Sequence, residues 1–195
     1  EHVTAAVEER AVTVDAMRHL FLLVHEMDRD KVVAAICQSG GKVIVFCQTK
    51  RGAARVCRSL SQLGIKVAEI HGDRRQSDRE RALERFGEGS LPVLVATDVA
   101  GRGIHVDDVN VVIHYDPAEN HKAYLHRSGR TARAGASGVA VTLLLWDQEL
   151  EVRRLKRRLQ LEDLPIVTVF SNDERLTDLV HFAESVEAEA ENAGT

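Results

Sequence analysis

The stretch "KVIVFCQTKRGAARVCRSLSQLGIKVAEI" (residues 42–70) decides how the chain folds. Its first six residues are a short, β-branched apolar run of the kind that forms a strand buried on both faces. Thr49 follows where a helix wants an N-cap, and Gly64 stands where it wants a left-handed residue beyond its last turn. "IKVAEI" (65–70) then returns to strand character. Strand, helix, strand on this scale argues for a parallel sheet with helices covering its faces.

The same grammar repeats outward from that unit. "RQSDRERALERFG" (75–87) reads as a helix stopped by Gly87, and "PVLVAT" (92–97), "VNVVIHY" (109–115) and "GVAVTLLL" (138–145) read as strands. Helical segments are expected at 119–128 and 147–160. Upstream, Asp15 reads as the N-cap of a helix over "AMRHLFLLVHEM" (16–27), with a second helix ending at Gly40. Downstream, "IVTVF" (166–170) adds a strand or an edge. The alternation predicts an α/β domain of three layers, α/β/α, around a mainly parallel sheet over residues 1–170. Residues 171–195 read as an acidic extension, either a frayed helix or a disordered tail. In such sheets function gathers beyond the carboxyl ends of the strands. That places Gln48–Thr49, His71–Asp73, Thr97–Arg102 and Asp116–Pro117 along one rim.

Composition narrows the class. The hydrophobic fraction of 44% can fill a core, and no apolar run reaches the length of a membrane span. The N-terminus lacks a signal-peptide pattern, so a cytoplasmic location is expected. Cys37, Cys47 and Cys57 are ten apart with no CxxC pair, which fits buried free thiols better than a zinc site or disulfides. The histidines form no ligand-spaced group, so no metal site is expected. The net charge of −4 is unevenly spread: residues 161–195 hold one basic residue, Arg175, against nine acidic ones, leaving 25 basic against 21 acidic elsewhere. A mildly basic body suits a polyanion. Trp146 reads as core and Asp147 as the cap of the helix after it. That helix, "ELEVRRLKRRLQ" (149–160), sets Val152, Leu155 and Leu159 against a basic face that includes Lys156.

Three loops carry candidate chemistry. "VATDVAGRGIHV" (95–106) places Thr97, Asp98 and small residues directly after a strand, where exposed N–H groups suit a phosphate. "HGDRRQSDRER" (71–81) runs into a helix with Gln76 and Arg79 on one face near its N-terminus. "YLHRSGRTARAG" (124–135) spaces Arg127, Arg130 and Arg133 by three. The nearest acids upstream are Asp116 and Glu119, and none follows until Asp147, so local neutralisation is not expected. Arginines so placed face water or wait for an anion, and the guanidinium forks onto phosphate oxygens.

These loops resemble a known set. "HRSGRTARAG" resembles motif VI of the DEAD-box RNA helicases, "ATDVAGRGIHV" their motif V, "HGDRRQSDRER" the segment with their Q-x-x-R motif, and "VIVFCQTKRGA" their motif IV. All four stand in the family's order. The resemblance implies the second, C-terminal RecA-like domain of an ATP-dependent RNA helicase. The family's P-loop and "DEAD" tetrad, which belong to the N-terminal RecA-like domain, are not in this sequence. The resemblance therefore implies half an enzyme, inactive by itself, whose ATP and Mg2+ are held mainly by the first domain.

Carried over residue by residue, the resemblance implies that Arg130 and Arg133 reach the γ-phosphate of ATP as arginine fingers. His126 and Arg127 would hold that loop, and Asp98 would fix the motif V loop. Gln48, Gly72, Arg79 and Thr97 would contact the sugar–phosphate backbone of RNA, with Gln76 supporting Arg79. His105 stands where the family usually has Asp and contacts the ATP ribose; a neutral imidazole can accept the same hydrogen bond, and protonation near pH 6.5 would weaken it. Gly101 replaces a common alanine and Ala132 a common glycine, swaps expected to preserve the loops. The implied activity is ATP-driven local unwinding of duplex RNA, with sequence-independent contacts to single strands. The alternatives are a non-enzymatic RNA-binding or interaction module that keeps the fold, and a DNA-directed relative. Nothing in the sequence sets the oligomeric state.

Overall fold

The computed structural model describes residues 17–71, 75–101, 106, 108–131 and 138–194. In chain order the elements are β1 (Met17–Leu23), α1 (Arg29–Gln38), β2 (Val43–Cys47), α2 (Lys50–Gln62), β3 (Val67–Ile70), α3 (Gln76–Glu88) and β4 (Val93–Thr97). The short α4 (Asp98–Gly101) follows, then β5 (Val111–His114), α5 (His121–Ser128), β6 (Gly138–Leu144), α6 (Glu149–Leu159), β7 (Ile166–Thr168) and α7 (Leu179–Ala193). One parallel sheet runs in the order β3-β4-β2-β5-β6-β1-β7. Because every strand points the same way, the loops after their carboxyl ends share one rim.

Strand alternation divides the core between two faces. Val43, Val45 and Cys47 of β2 join Val93 and Val95 of β4 beneath α1, α2 and α7. Ile44 and Phe46 point the other way, with Leu94 and Ala96, toward Phe86 of α3 and Ala100 of α4. Farther along that face, Phe21, Ala140 and Leu144 pack against Tyr124 of α5 and Val152, Leu155 and Leu159 of α6. Each layer covers one side of the sheet, so the fold is the expected α/β/α arrangement. The Thr49 hydroxyl accepts the Gly52 N–H at 3.0 Å to open α2, and Gly64 takes φ +87° behind it.

Five expectations are corrected. The segment expected as a helix over 16–27 is strand β1, paired with β6 on one side and β7 on the other. "HLFLLV" is apolar on every face, so its periodicity is compatible with either element, and the sheet's unfilled slot decides. The cap expected at Asp15 lies outside the described residues. Helix α3 continues through Gly87 and takes its left-handed turn at Gly89, φ +85°. Trp146 is 82% exposed on the rim rather than in the core. Asp147 lies inside a 3-10 turn, Trp146–Gln148, and the Gln148 side chain instead accepts the Leu145 N–H at 3.0 Å. Lys156 is buried rather than solvated: its ammonium donates to the Leu164 carbonyl and lies 5.4 Å from the Phe21 ring centre.

The acidic end forms α7. Its apolar stripe of Leu179, Phe182, Ala183 and Val186 is buried in the same cluster as β1, while Arg18 of β1 pairs with Glu184 at 3.1 Å and with Glu187. Cys37 and Cys47 are buried free thiols, and burial pushes the Cys37 thiol up to about 12.

Candidate nucleotide and nucleic-acid interface

The rim is built by register. Cys47 pairs with Thr97, and Phe46 pairs with His114, so the loops after β2, β4 and β5 emerge side by side. Gln48 follows Cys47 and is exposed, Thr97 is buried at the end of β4, and Asp98 opens α4 beside it. Helix α5 starts under the same rim: the Asn120 side chain accepts the Ala123 N–H at 2.9 Å, and Gly129 closes the helix by donating to Leu125 O at 2.8 Å.

Arg127 corrects the expectation that none of the three arginines is neutralised. It is 1% exposed and grips Asp98 with both arms of its fork, Nε to Oδ1 at 2.6 Å and Nη2 to Oδ2 at 2.8 Å. Its Nη1 donates to Asp116 O at 2.7 Å, and its guanidinium lies 5.6 Å from the Phe46 ring centre. The partner is 29 residues away in sequence, where no local count of acids could find it.

Beneath Arg127 lies a buried polar group that sequence reasoning missed. His114 Nδ1 is 3.4 Å from Arg127 Nη1, and His114 Nε2 is 2.9 Å from the Ser128 hydroxyl. A guanidinium only donates, so Nδ1 must accept and Nε2–H must donate to Ser128. Burial, with the Arg127 charge and then His19, holds His114 well below its ordinary pKa of 6.5, which keeps that neutral tautomer. The His114 ring stacks on Tyr124 with centres 4.6 Å apart, and the Tyr124 hydroxyl lies 2.6 Å from His19 Nδ1. Burial also raises the Tyr124 hydroxyl's pKa. The available signal was a histidine inside the otherwise apolar strand "VVIH".

Arg130 lies at the end of α5, half-buried, and lines a small cavity of about 30 Å³ with Asp98, Gly101 and His126. His126 is exposed beside it. Gly101 has a spatial reason: a Cβ there would come within 2.5 Å of the Phe46 ring, so the expected interchangeability with alanine does not hold here. At the other end of the rim, Arg79 is half-buried in α3, and its Nε is buried without a hydrogen-bond partner among the described residues. Gln76 bonds to Glu80, Nε2 to Oε1 at 3.2 Å. Gly72, His105, Ala132 and Arg133 lie outside the described residues. An open cavity of about 620 Å³ adjoins Gln48, lined also by Glu119, Asn120, Glu151, Arg154 and Arg158.

Residues 28–135 match the family described as helicase conserved C-terminal domain. The human probable ATP-dependent RNA helicase DDX23 is 41% identical over 137 residues, which is 69% of this chain and 17% of DDX23. A DEAD-box protein from Methanococcus jannaschii superposes with a TM-score of 0.71 at 33% identity, covering 80% of this chain and 42% of that one. Saccharomyces cerevisiae Dbp5, solved bound to RNA and ADP BeF3, superposes with a TM-score of 0.74 at 26% identity, covering 88% of this chain and 46% of Dbp5. The chain thus spans less than half of each of these relatives. With the described parts of four motifs in order along one rim of a parallel sheet, the chain belongs to the helicase conserved C-terminal domain family, as a RecA-like C-terminal domain of the DEAD-box RNA helicase type.

Proposed function

We propose that this domain is the second half of an ATP-dependent RNA helicase, binding the RNA backbone on one part of its rim and supplying arginines to ATP on another. The observation that carries the reading is the anchoring of α5. Arg127 is locked to Asp98, so the helix end that bears Arg130 has a fixed place beside motif V. An arginine finger works only if its loop is pre-organised, because the charge must already be aimed where the γ-phosphoryl develops negative charge. Arg133 would be the second finger and His105 a ribose contact. ATP and Mg2+ would be held mainly by an N-terminal RecA-like domain.

On the RNA side, Gln48, Gly72, Arg79 and Thr97 would take phosphate and sugar contacts, giving affinity without sequence readout. The buried Nε of Arg79, without a hydrogen-bond partner among the described residues, supports an anion beside it, since buried donors are ordinarily satisfied. Closure of two domains on ATP and RNA would bend the bound strand and displace its partner. A second reading, a non-enzymatic RNA-binding module, is favoured by His105 standing where the family usually has Asp.

Fluorescence anisotropy of labelled single-stranded RNA with the 195-residue chain, across salt concentrations, tests the RNA half. Binding should weaken with salt and be indifferent to sequence. Arg79→Ala should reduce the salt slope by about 0.7, the share of one single-strand phosphate. Salt-independent or strongly sequence-selective binding would overturn this half of the reading.

A further inference from the structure

The carbonyl and carboxylate of Asp116 serve three separate elements. Oδ2 accepts the Gln48 main-chain N–H at 2.7 Å, fixing the loop after β2. Oδ1 accepts from Arg29 Nη2 of α1 at 3.2 Å. The main-chain oxygen accepts from Arg127 Nη1 of α5 at 2.7 Å. Arg29 is itself held firmly: it is 8% exposed, donates also to Tyr115 O, and lies 3.7 Å from the Tyr115 ring centre. Asp116 therefore stands on a braced base, with one arm on the loop carrying Gln48 and the other on the arginine that locks α5 to Asp98.

We propose that Asp116 is a positioning residue that couples the RNA-contacting loop at Gln48 to the arginine-bearing helix α5. This rests on the functional reading above. A strand pulling on Gln48 moves its N–H, and the carboxylate that follows is rigidly attached to the carbonyl holding Arg127. RNA occupancy is thereby felt at Arg130, three residues beyond Arg127. The carboxylate is required because both of its partners are donors. An asparagine has one acceptor oxygen, so its NH2 would face either Gln48 N–H or the Arg29 guanidinium. Asp116→Asn preserves size and breaks one arm. Pairing it with Arg29→Gln supplies an acceptor for the new NH2 and restores a braced base.

The test joins the chain to a DEAD-box first domain and measures ATP turnover with and without saturating single-stranded RNA. Asp116→Asn should lower the ratio of RNA-saturated to RNA-free turnover about tenfold, the size of a typical coupling between sites. Asp116→Asn with Arg29→Gln should recover most of that ratio. Gln48→Ala keeps the main-chain N–H bonded to Asp116 and removes only the side chain that RNA would hold; added to Asp116→Asn it should lower the ratio no further, because the two changes interrupt one path at successive points. A variant that scales both turnovers by one factor, or two changes whose effects on the ratio simply multiply, would overturn the coupling role. A separate arm uses the 195-residue chain alone and follows the Gln48 amide and the Arg127 side-chain signals by 1H–15N spectroscopy. Asp116→Asn should move both; movement at Gln48 with Arg127 unchanged overturns the inference whatever the fused enzyme does. If the fused protein ignores RNA and Arg130→Ala while both signals move, the functional reading fails and the mechanical link stands.

Discussion

Arg127 carries a full charge into the interior, and its safety depends on Asp98. Removing Asp98 leaves that charge facing Phe46 and His114, with only carbonyl and imidazole acceptors in reach. Because the Asp98 side chain is 35% exposed, water can partly replace it, so Asp98→Ala should cost about 2 kcal/mol, below the ~3–5 kcal/mol of a fully enclosed pair. Urea unfolding checks the figure, and a loss under ~0.5 kcal/mol would show the pair to be superficial. His114 supplies a pH signature. Folding holds its pKa well below 6.5, so the unfolded chain takes up a proton that the folded chain refuses. Stability from this group is complete above about pH 6.5 and is lost as pH falls below it. The urea midpoint should drop on acidification from about pH 7.5 to 5.5, and His114→Asn, which keeps one donor and one acceptor, should flatten the drop. At this scale the sequence was legible by type and not by partner. Asp98, Arg127 and Arg130 stood out as chemistry-bearing, whereas the Asp98–Arg127 and Asp116–Gln48 links join residues 29 and 68 apart and exist only once strands β2, β4 and β5 lie in register.

Helix α4 and strand β2 meet at one tight point. A methyl at position 101 would press on the Phe46 ring at 2.5 Å, so Gly101→Ala should destabilise by about 1–3 kcal/mol, and Phe46→Leu should recover part of that loss when combined with it. Thermal melts of the two single variants and the double variant measure the interaction. Additive losses would mean that position 101 is crowded by something else. Helix α7 offers a second test, because Phe182 is 2% exposed and stands in the core shared with β1. Phe182→Ala should cost about 3–5 kcal/mol, whereas an unchanged melting temperature would mean that α7 does not contribute to the fold's stability. Elements with strong local punctuation were readable: Thr49 and Gly64 bound α2, and the β-branched runs marked β2 and β4. Strand β1 was not, since "HLFLLV" buries on both sides in either conformation and only its neighbours β6 and β7 choose between them. Helix α7 hid its apolar stripe among glutamates that pair with Arg18. Trp146 misled because hydrophobicity argues for burial while its place just past the end of β6 puts it on the rim.

Across the whole molecule, a single parallel sheet brings four separated stretches onto one rim, from Arg79 of α3 through Gln48 and Asp98 to Arg130 just beyond α5. That convergence follows from topology: β3, β4, β2 and β5 are consecutive in the sheet, so the loops that follow them are neighbours in space. The motif order in the sequence implied this rim, and the register of β2 with β4 and β5 supplies the distances that join its parts. Under the proposed function, Arg130 acts on ATP bound elsewhere, with RNA as the trigger. The most direct measurement is ATP turnover by this chain joined to a DEAD-box first domain, with and without single-stranded RNA, for the native sequence and for Arg130→Ala. RNA should stimulate turnover, and Arg130→Ala should lower it by roughly 10³-fold. Turnover indifferent both to RNA and to Arg130 would contradict the proposed function.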